Sequence, residues 1–207
     1  MTRPADPKPP DSLSSDRAAH GTALLIIDMI SCWDFPDADA LMHCAVAIAA
    51  PIAQLKSHCA AAGVPTIYCN DNRGRWRSDF RSLVDSALAC GGKGGEIARR
   101  LAPGPEDYFV LKPMQSSFFE TPLASLLKYL DVHRLILTGI SSDQCVMASA
   151  MEAGLRALDV VVPQEAVASQ TPERNEAALR QFRETHKLEV VSVRSLVRQL
   201  AVPKVRR

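Results

Sequence analysis

The 207-residue chain predicts an α/β fold: a mainly parallel six-stranded sheet with helices on both faces, a three-layer αβα domain. Two patterns predict it. Short apolar runs of strand length recur along the chain, and between most of them lie segments with apolar residues at helical spacing. Strands that alternate with helices form βαβ units, whose crossovers make the strands parallel and lay the helices over the sheet. The length suits one well-cored domain and is short for two. No repeat or change of composition divides the chain, so residues 21–200 are taken as a single domain.

The elements follow in order. Residues 1–20, with four prolines in the first ten, read as an extended or disordered arm without the apolar stretch of a secretory signal. TALLIID (22–28) is an apolar run ending in an acid, the pattern of a buried strand. Residues 39–62 are alanine-rich with helical spacing, and Pro51 is expected to kink or split that helix. VPTIYCN (64–70) is the second strand. A long connection follows, with a helix over 79–89 and a glycine-rich stretch, CGGKGGE (90–96). That stretch lacks the G-K-[ST] ending and the preceding strand of a phosphate loop and reads as a flexible loop. YFVLK (108–112) is the third strand. TPLASLLKYL (121–130) has the Thr N-cap and Pro N1 of a helix. RLILTG (134–139) is the fourth strand, residues 142–158 a helix, DVVVP (159–163) the fifth strand, 172–186 a second Thr-Pro-initiated helix and LEVVSV (188–193) the sixth strand.

Composition narrows the function. A net charge of +1 gives no field to steer nucleic acid or an anionic membrane, so neither is expected as a partner. Apolar runs such as TALLIID fall short of the roughly 18–20 residues that span a bilayer. A cytoplasmic protein is expected. Its six cysteines are scattered without a C-x-x-C pair and read as reduced thiols, and its five histidines lack ligand spacing, so no metal is expected.

In an open parallel sheet, ligands bind beyond the carboxyl ends of the strands. Strand one ends in Asp28, strand two in Asn70-Asp71, strand three in Lys112, and strand four runs through Gly139 towards Cys145. One rim thus collects an acid, an amine and a thiol. If Ser142 caps the following helix, Cys145 sits in its first turn, where the helix dipole and Lys112 would lower the thiol pKa. Asp28 could then carry the proton, and the backbone N–H groups of Ser141 and Cys145 could hold an oxyanion. Cys145 also reads as a small core residue or a redox thiol. The basic stretch NRGRWRSDFR (72–81) reads either as a loop over the rim, with Trp76 as an apolar wall and Asn72 or Arg75 as polar contacts, or as the start of a helix packing its own aromatics. Cys32, Trp33 and Phe35, close after Asp28, are further pocket candidates; Phe118 is set at the pocket mouth or against a neighbouring subunit.

The blocks LLIIDM, VLKPMQSSFFETPL, LILTGISSDQCVMASAMEAG and VVVPQEAVAS resemble the isochorismatase-like family of cysteine hydrolases, over about residues 22–192. The resemblance implies a Rossmann-like domain, an Asp–Lys–Cys triad at Asp28, Lys112 and Cys145, and a cis peptide between Ile140 and Ser141. It also implies an oxyanion site at the N–H groups of Ser141 and Cys145, a homodimer or homotetramer, and no cofactor. Glu152 and Glu165 stand where many members have Asp, at positions expected on helix surfaces or one layer behind the site. Nicotinamidases of the family carry a metal-binding Asp-x-His after strand two; here Asp71 is followed by Asn72 and Arg73, which disfavours that activity. Some members that hydrolyse vinyl ethers lack the cysteine, so its presence favours C–N bond hydrolysis. The expected function is hydrolysis of a small amide or ureido substrate through a thioester. The alternatives are an isochorismate-like vinyl-ether hydrolase and a catalytically silent binding protein of the same fold.

Overall fold

The first strand, Thr22–Ile27 (β1), is buried along its whole length and organises the sheet. The structure is a computed structural model that describes residues 18–36, 38–72 and 74–201. After β1 come helix Ala38–Ala61 (α1), strand Thr66–Asp71 (β2), helices Phe80–Ala89 (α2) and Gly92–Arg100 (α3), and strand Tyr108–Lys112 (β3). Helix Leu123–Tyr129 (α4), strand Arg134–Ile140 (β4), helix Cys145–Leu155 (α5) and strand Asp159–Pro163 (β5) follow. A two-residue strand Val167–Ala168 (β6), helix Pro172–Arg180 (α6), strand Glu189–Val191 (β7) and helix Val193–Ala201 (α7) complete the fold.

Six strands pair in the order β3-β2-β1-β4-β5-β7, all parallel, and β6 adds to the end of β4. Alternation along β1 supplies two cores: Leu24 and Ile26 face one layer of helices, Ala23, Leu25 and Ile27 the other. On the first face lie α1, α2, α3 and α7; on the second α4, α5 and α6. This is why the strand reads as an unbroken apolar run: a parallel strand covered on both sides has no wet face.

Gly139 on β4 pairs with Ile27 and has φ +108°; a Cβ there would lie 2.0 Å from the Ile27 carbonyl oxygen. Only glycine lets β4 approach β1 at this point, just before the chain turns into the site. The strand order reverses between β1 and β4, which diverge to β2 on one side and β5 on the other. That switch point is where an open α/β sheet forms its ligand crevice.

Several expectations are corrected. α1 runs unbroken through Pro51, because Ala45, Ile48, Ala49, Ile52 and Leu55 anchor it to the sheet on both sides of the missing N–H. Among the described residues it is also the one helix long and apolar enough for a membrane span, which the short-run argument missed; its apolar face lies in the core. The stretch read as a glycine loop opens α3. Glycine is required there by packing, since a Cβ on Gly94 would meet the Trp33 ring at 2.6 Å. β6 is too short to leave a sequence signal. Of the expected arm, residues 1–17 lie outside the described residues, whereas Ala18 and Ala19 bond to Leu130 and Gly63 of the domain.

The cysteines are not all reduced: Cys32 and Cys90 form a disulfide, with Cα atoms 5.6 Å apart. It ties the loop after β1 to the C-cap of α2. Closing a loop of this length stabilises a fold by about 2–4 kcal/mol. Cys90→Ser should therefore lower the melting temperature of oxidised protein by several degrees, and dithiothreitol should produce the same shift in wild type but none in the variant. Identical melting of all four samples would show that the bridge adds no stability.

Candidate active site

Asp28 follows β1 with φ +55°, so the chain leaves the extended conformation of the strand at this residue. Its Oδ1 accepts the Asp71 N–H at 2.7 Å and its Oδ2 pairs with Lys112 Nζ at 2.8 Å. Lys112, the last residue of β3, is fully buried, and its ammonium reaches past β2 to meet three further groups. It donates to the Met114 carbonyl at 3.3 Å and to Cys145 Sγ at 3.5 Å, and lies 4.0 Å from Asp71 Oδ2. A buried ammonium without partners would lose its proton. Here burial works against the charge, but Asp28 and then Cys145 outweigh it and raise the Lys112 pKa. The lysine is a fixed cation.

Cys145 starts α5, and the N-cap is Gln144, with φ −130° and no side-chain cap. The expected Ser142 cap is thus corrected: Ser142 is buried and its hydroxyl is among the side-chain atoms without a hydrogen-bond partner. The expected pKa direction is corrected as well. Burial first, then the Asp28 charge, push the thiol up to about 12 against the opposing pull of Lys112. The resting sulfur is a thiol, hydrogen-bonded to Asp28 and beside an ammonium already paired to that carboxylate.

The peptide between Ile140 and Ser141 is cis. The turn beyond it folds round one carbonyl, as Gln144 and Val146 N–H both bond to Ser141 O, at 3.0 and 3.1 Å. Asp28, Asp71, Ser141, Gln144 and Cys145 line one cavity of about 470 Å3 together with the apolar Ile30, Phe35, Pro36 and Leu41.

Of the expected pocket residues, Phe35 and Arg75 line this cavity, and Arg75 reaches Asp34 at 3.5 Å. Asn72 is buried, its Oδ1 accepting the Gly74 N–H, and it lines a smaller neighbouring cavity with Cys32. Trp76 is 78% exposed and lines neither cavity; it lies in the turn before α2, whose buried aromatic is Phe80. Phe118 is not at a mouth: it is buried in the second core, with the Arg156 guanidinium 4.8 Å from its ring centre. Trp33 belongs to the first core. Ser31, Asp34, Asn70 and Gln144 line the cavity and were missed as site residues. Asn70 had a readable signal, a polar side chain closing an apolar strand; its Nδ2 donates to Ile30 O at 2.9 Å. Glu152 bonds Ser116 and pairs with Arg156, and Glu165 accepts the Val193 N–H of α7, both outside the cavity lining.

A family model described as Isochorismatase domain matches residues 22–195. The chain belongs to the isochorismatase family. An isochorismatase family protein of Bacillus subtilis, YaaI, whose activity is uncharacterised, is 36% identical over 157 residues, 76% of this chain and 86% of that protein. Streptothricin hydrolase of Streptomyces noursei is 31% identical over 71% of this chain, which spans only 54% of that enzyme. Ureidoacrylate amidohydrolase RutB of an Enterobacter species matches a shorter stretch, 42% identical over 31% of this chain and 28% of that enzyme. Among solved structures, an isochorismatase-like hydrolase from Alkaliphilus metalliredigens superposes with a TM-score of 0.70 at 21% identity, covering 86% of this chain and 98% of its own. The family is one of hydrolases, amidohydrolases among them.

The thiol's environment sets its pH response. With a pKa near 12, iodoacetamide labelling of Cys145 should climb from roughly pH 6 to 10 without levelling, since the thiolate is the nucleophile. Asp28→Asn removes the anion that holds the proton on sulfur, so labelling near pH 7 should rise about tenfold per unit by which the pKa falls. A plateau reached by about pH 7 in wild type, read by mass spectrometry, would show instead that the thiolate is already formed.

Proposed function

We propose that the protein hydrolyses a C–N bond of a small amide or ureido compound through a thioester on Cys145. The observation that carries the reading is the meeting of one buried ammonium with a carboxylate and a thiol that both line the cavity. Cys145 Sγ adds to the substrate carbonyl while its proton passes to Asp28, so the unfavourable free thiolate need not accumulate. The oxyanion falls to the N–H groups of Ser141 and Cys145; that no side chain caps α5 supports this. Collapse breaks the C–N bond, and Asp28 gives its proton to the departing nitrogen. Water then attacks the thioester, gives a proton to Asp28, and the acid leaves as sulfur takes that proton back. The sum is amide plus water to acid plus amine. Lys112 pairs with Asp28 and offsets charge on sulfur.

The ureidoacrylate amidohydrolase relative supports the substrate class, and the polar lining from Ser31, Asn70, Asp71 and Arg75 suits a small polar amide. One observation also fits the vinyl-ether reading: a sulfur that rests as a thiol leaves Asp28 as the proton carrier whether or not Cys145 attacks.

Cys145→Ala separates the two. With a panel of primary amides, ureido acids and nicotinamide, it should lose more than about a thousandfold in turnover while keeping its circular dichroism spectrum, because removing a nucleophile removes the whole covalent route. Asp28→Asn should lose turnover comparably despite its more reactive sulfur. Full activity in Cys145→Ala on any substrate of the wild type would exclude the thioester route.

A further inference from the structure

Outside the cavity, four donor atoms converge on one carboxylate. Asp143 Oδ1 accepts Ser141 Oγ and Ser169 Oγ, each at 2.5 Å, and Oδ2 accepts Arg174 Nε at 2.8 Å and pairs with its Nη2 at 2.6 Å. Ser141 Oγ and Ser169 Oγ are themselves 3.0 Å apart. The Ser142 N–H adds a bond to Ala168 O at 2.7 Å, so the turn after β4 is stitched to the segment between β6 and α6. Arg174 is set in turn by its place in the first turn of α6, where its N–H bonds the Thr171 cap at 3.3 Å, and by a contact with Gln170. Burial alone would raise the Asp143 carboxyl, but the bonds from Ser141, Ser169 and Arg174 outweigh it and hold it below the usual range.

Asp143 does not line the cavity, whereas Ser141 does. The Ser141 hydroxyl is occupied by Asp143 and Ser169, so what this residue offers the cavity is its backbone. We propose that Asp143, held by Arg174, is a positioning residue that fixes Ser141 so that its N–H meets the oxyanion of the acyl transfer. The inference rests on the thioester reading above. A charged acceptor is needed, because one carboxylate takes all these donors at once; an asparagine would turn an NH2 towards a group that can only donate.

The test compares two reactions of Cys145 in the full chain. p-Nitrophenyl acetate acylates sulfur through a tetrahedral oxyanion, with p-nitrophenolate leaving; iodoacetamide alkylates it by displacement of iodide, with no oxyanion. Asp143→Asn should slow the p-nitrophenolate burst by about 10- to 100-fold, the range expected for a misplaced catalytic group. Alkylation at the same pH should stay within about twofold, as Asp28 and Lys112 are untouched. Arg174→Ala, at a half-exposed position, should give the same split if Asp143→Asn does not fold, and Arg174→Lys should recover most of the burst. An unchanged burst in both variants would overturn the proposal, as would equal losses in burst and alkylation, which mark a merely structural role. A wild type that is alkylated at Cys145 but never acylated would overturn the thioester reading itself, and the positioning role with it.

Discussion

Lys112 is the constraint to which the rest of the site answers. A lysine ammonium with no exposed surface costs several kcal/mol unless it is met by charge and hydrogen-bond acceptors. It is met by Asp28, Met114 O and Cys145, with Asp71 at the edge of reach. These come from the ends of β1, β2 and β3 and from the first residue of α5, so the site exists only when the sheet is registered as it is. The close pairing of β4 with β1 at Gly139 brings the last of these, Cys145, to the others. The fold's switch point and the lysine's need for partners are satisfied by the same arrangement.

That arrangement also decides how the sulfur can act. A thiol activated in advance would need its positive neighbour to be unspent, but Lys112 is already neutralised by Asp28 at 2.8 Å. Burial and the carboxylate then keep the proton on sulfur. Asp28 lies in direct hydrogen-bond contact with the sulfur, and in the proposed mechanism proton transfer to it accompanies attack. In the proposed mechanism the oxyanion is met at the turn after β4, which the Asp143–Arg174 pair bonds through Ser141.

The parts of this legible in the sequence were those with a one-dimensional cause. Apolar runs ending in Asp28 and Lys112, and a strand broken by glycine ahead of Cys145, follow from strand length and from the rule that open sheets bind at carboxyl ends. The parts not legible depend on distance across the fold. Residue type suggests the rim for Trp76 and the pocket mouth or a subunit contact for Phe118, yet one faces solvent and the other fills the core, and type alone does not separate these environments. The Gly-rich stretch at α3 is shaped by a Trp33 ring sixty-odd positions earlier, and the Cys32–Cys90 bond by the same approach of the β1 loop to α2 and α3. Asp143 carried no signal of its own within the expected helix over 142–158, since its serine and arginine partners at 169 and 174 lie beyond β6, which is two residues long. The thiol's pKa went astray for a related reason: position in the first helical turn is visible in sequence, whereas burial beside a carboxylate is not.

Intact-protein mass spectrometry of wild type and Asp28→Asn, quenched in acid at short times after mixing with small amides and ureido acids, tests the central claim most directly. The account predicts a transient mass increase equal to the substrate's acyl group, located on Cys145 and absent from Asp28→Asn. Rapid turnover of a substrate with no adduct at any time, and with Cys145 fully recoverable as free thiol throughout, would contradict it.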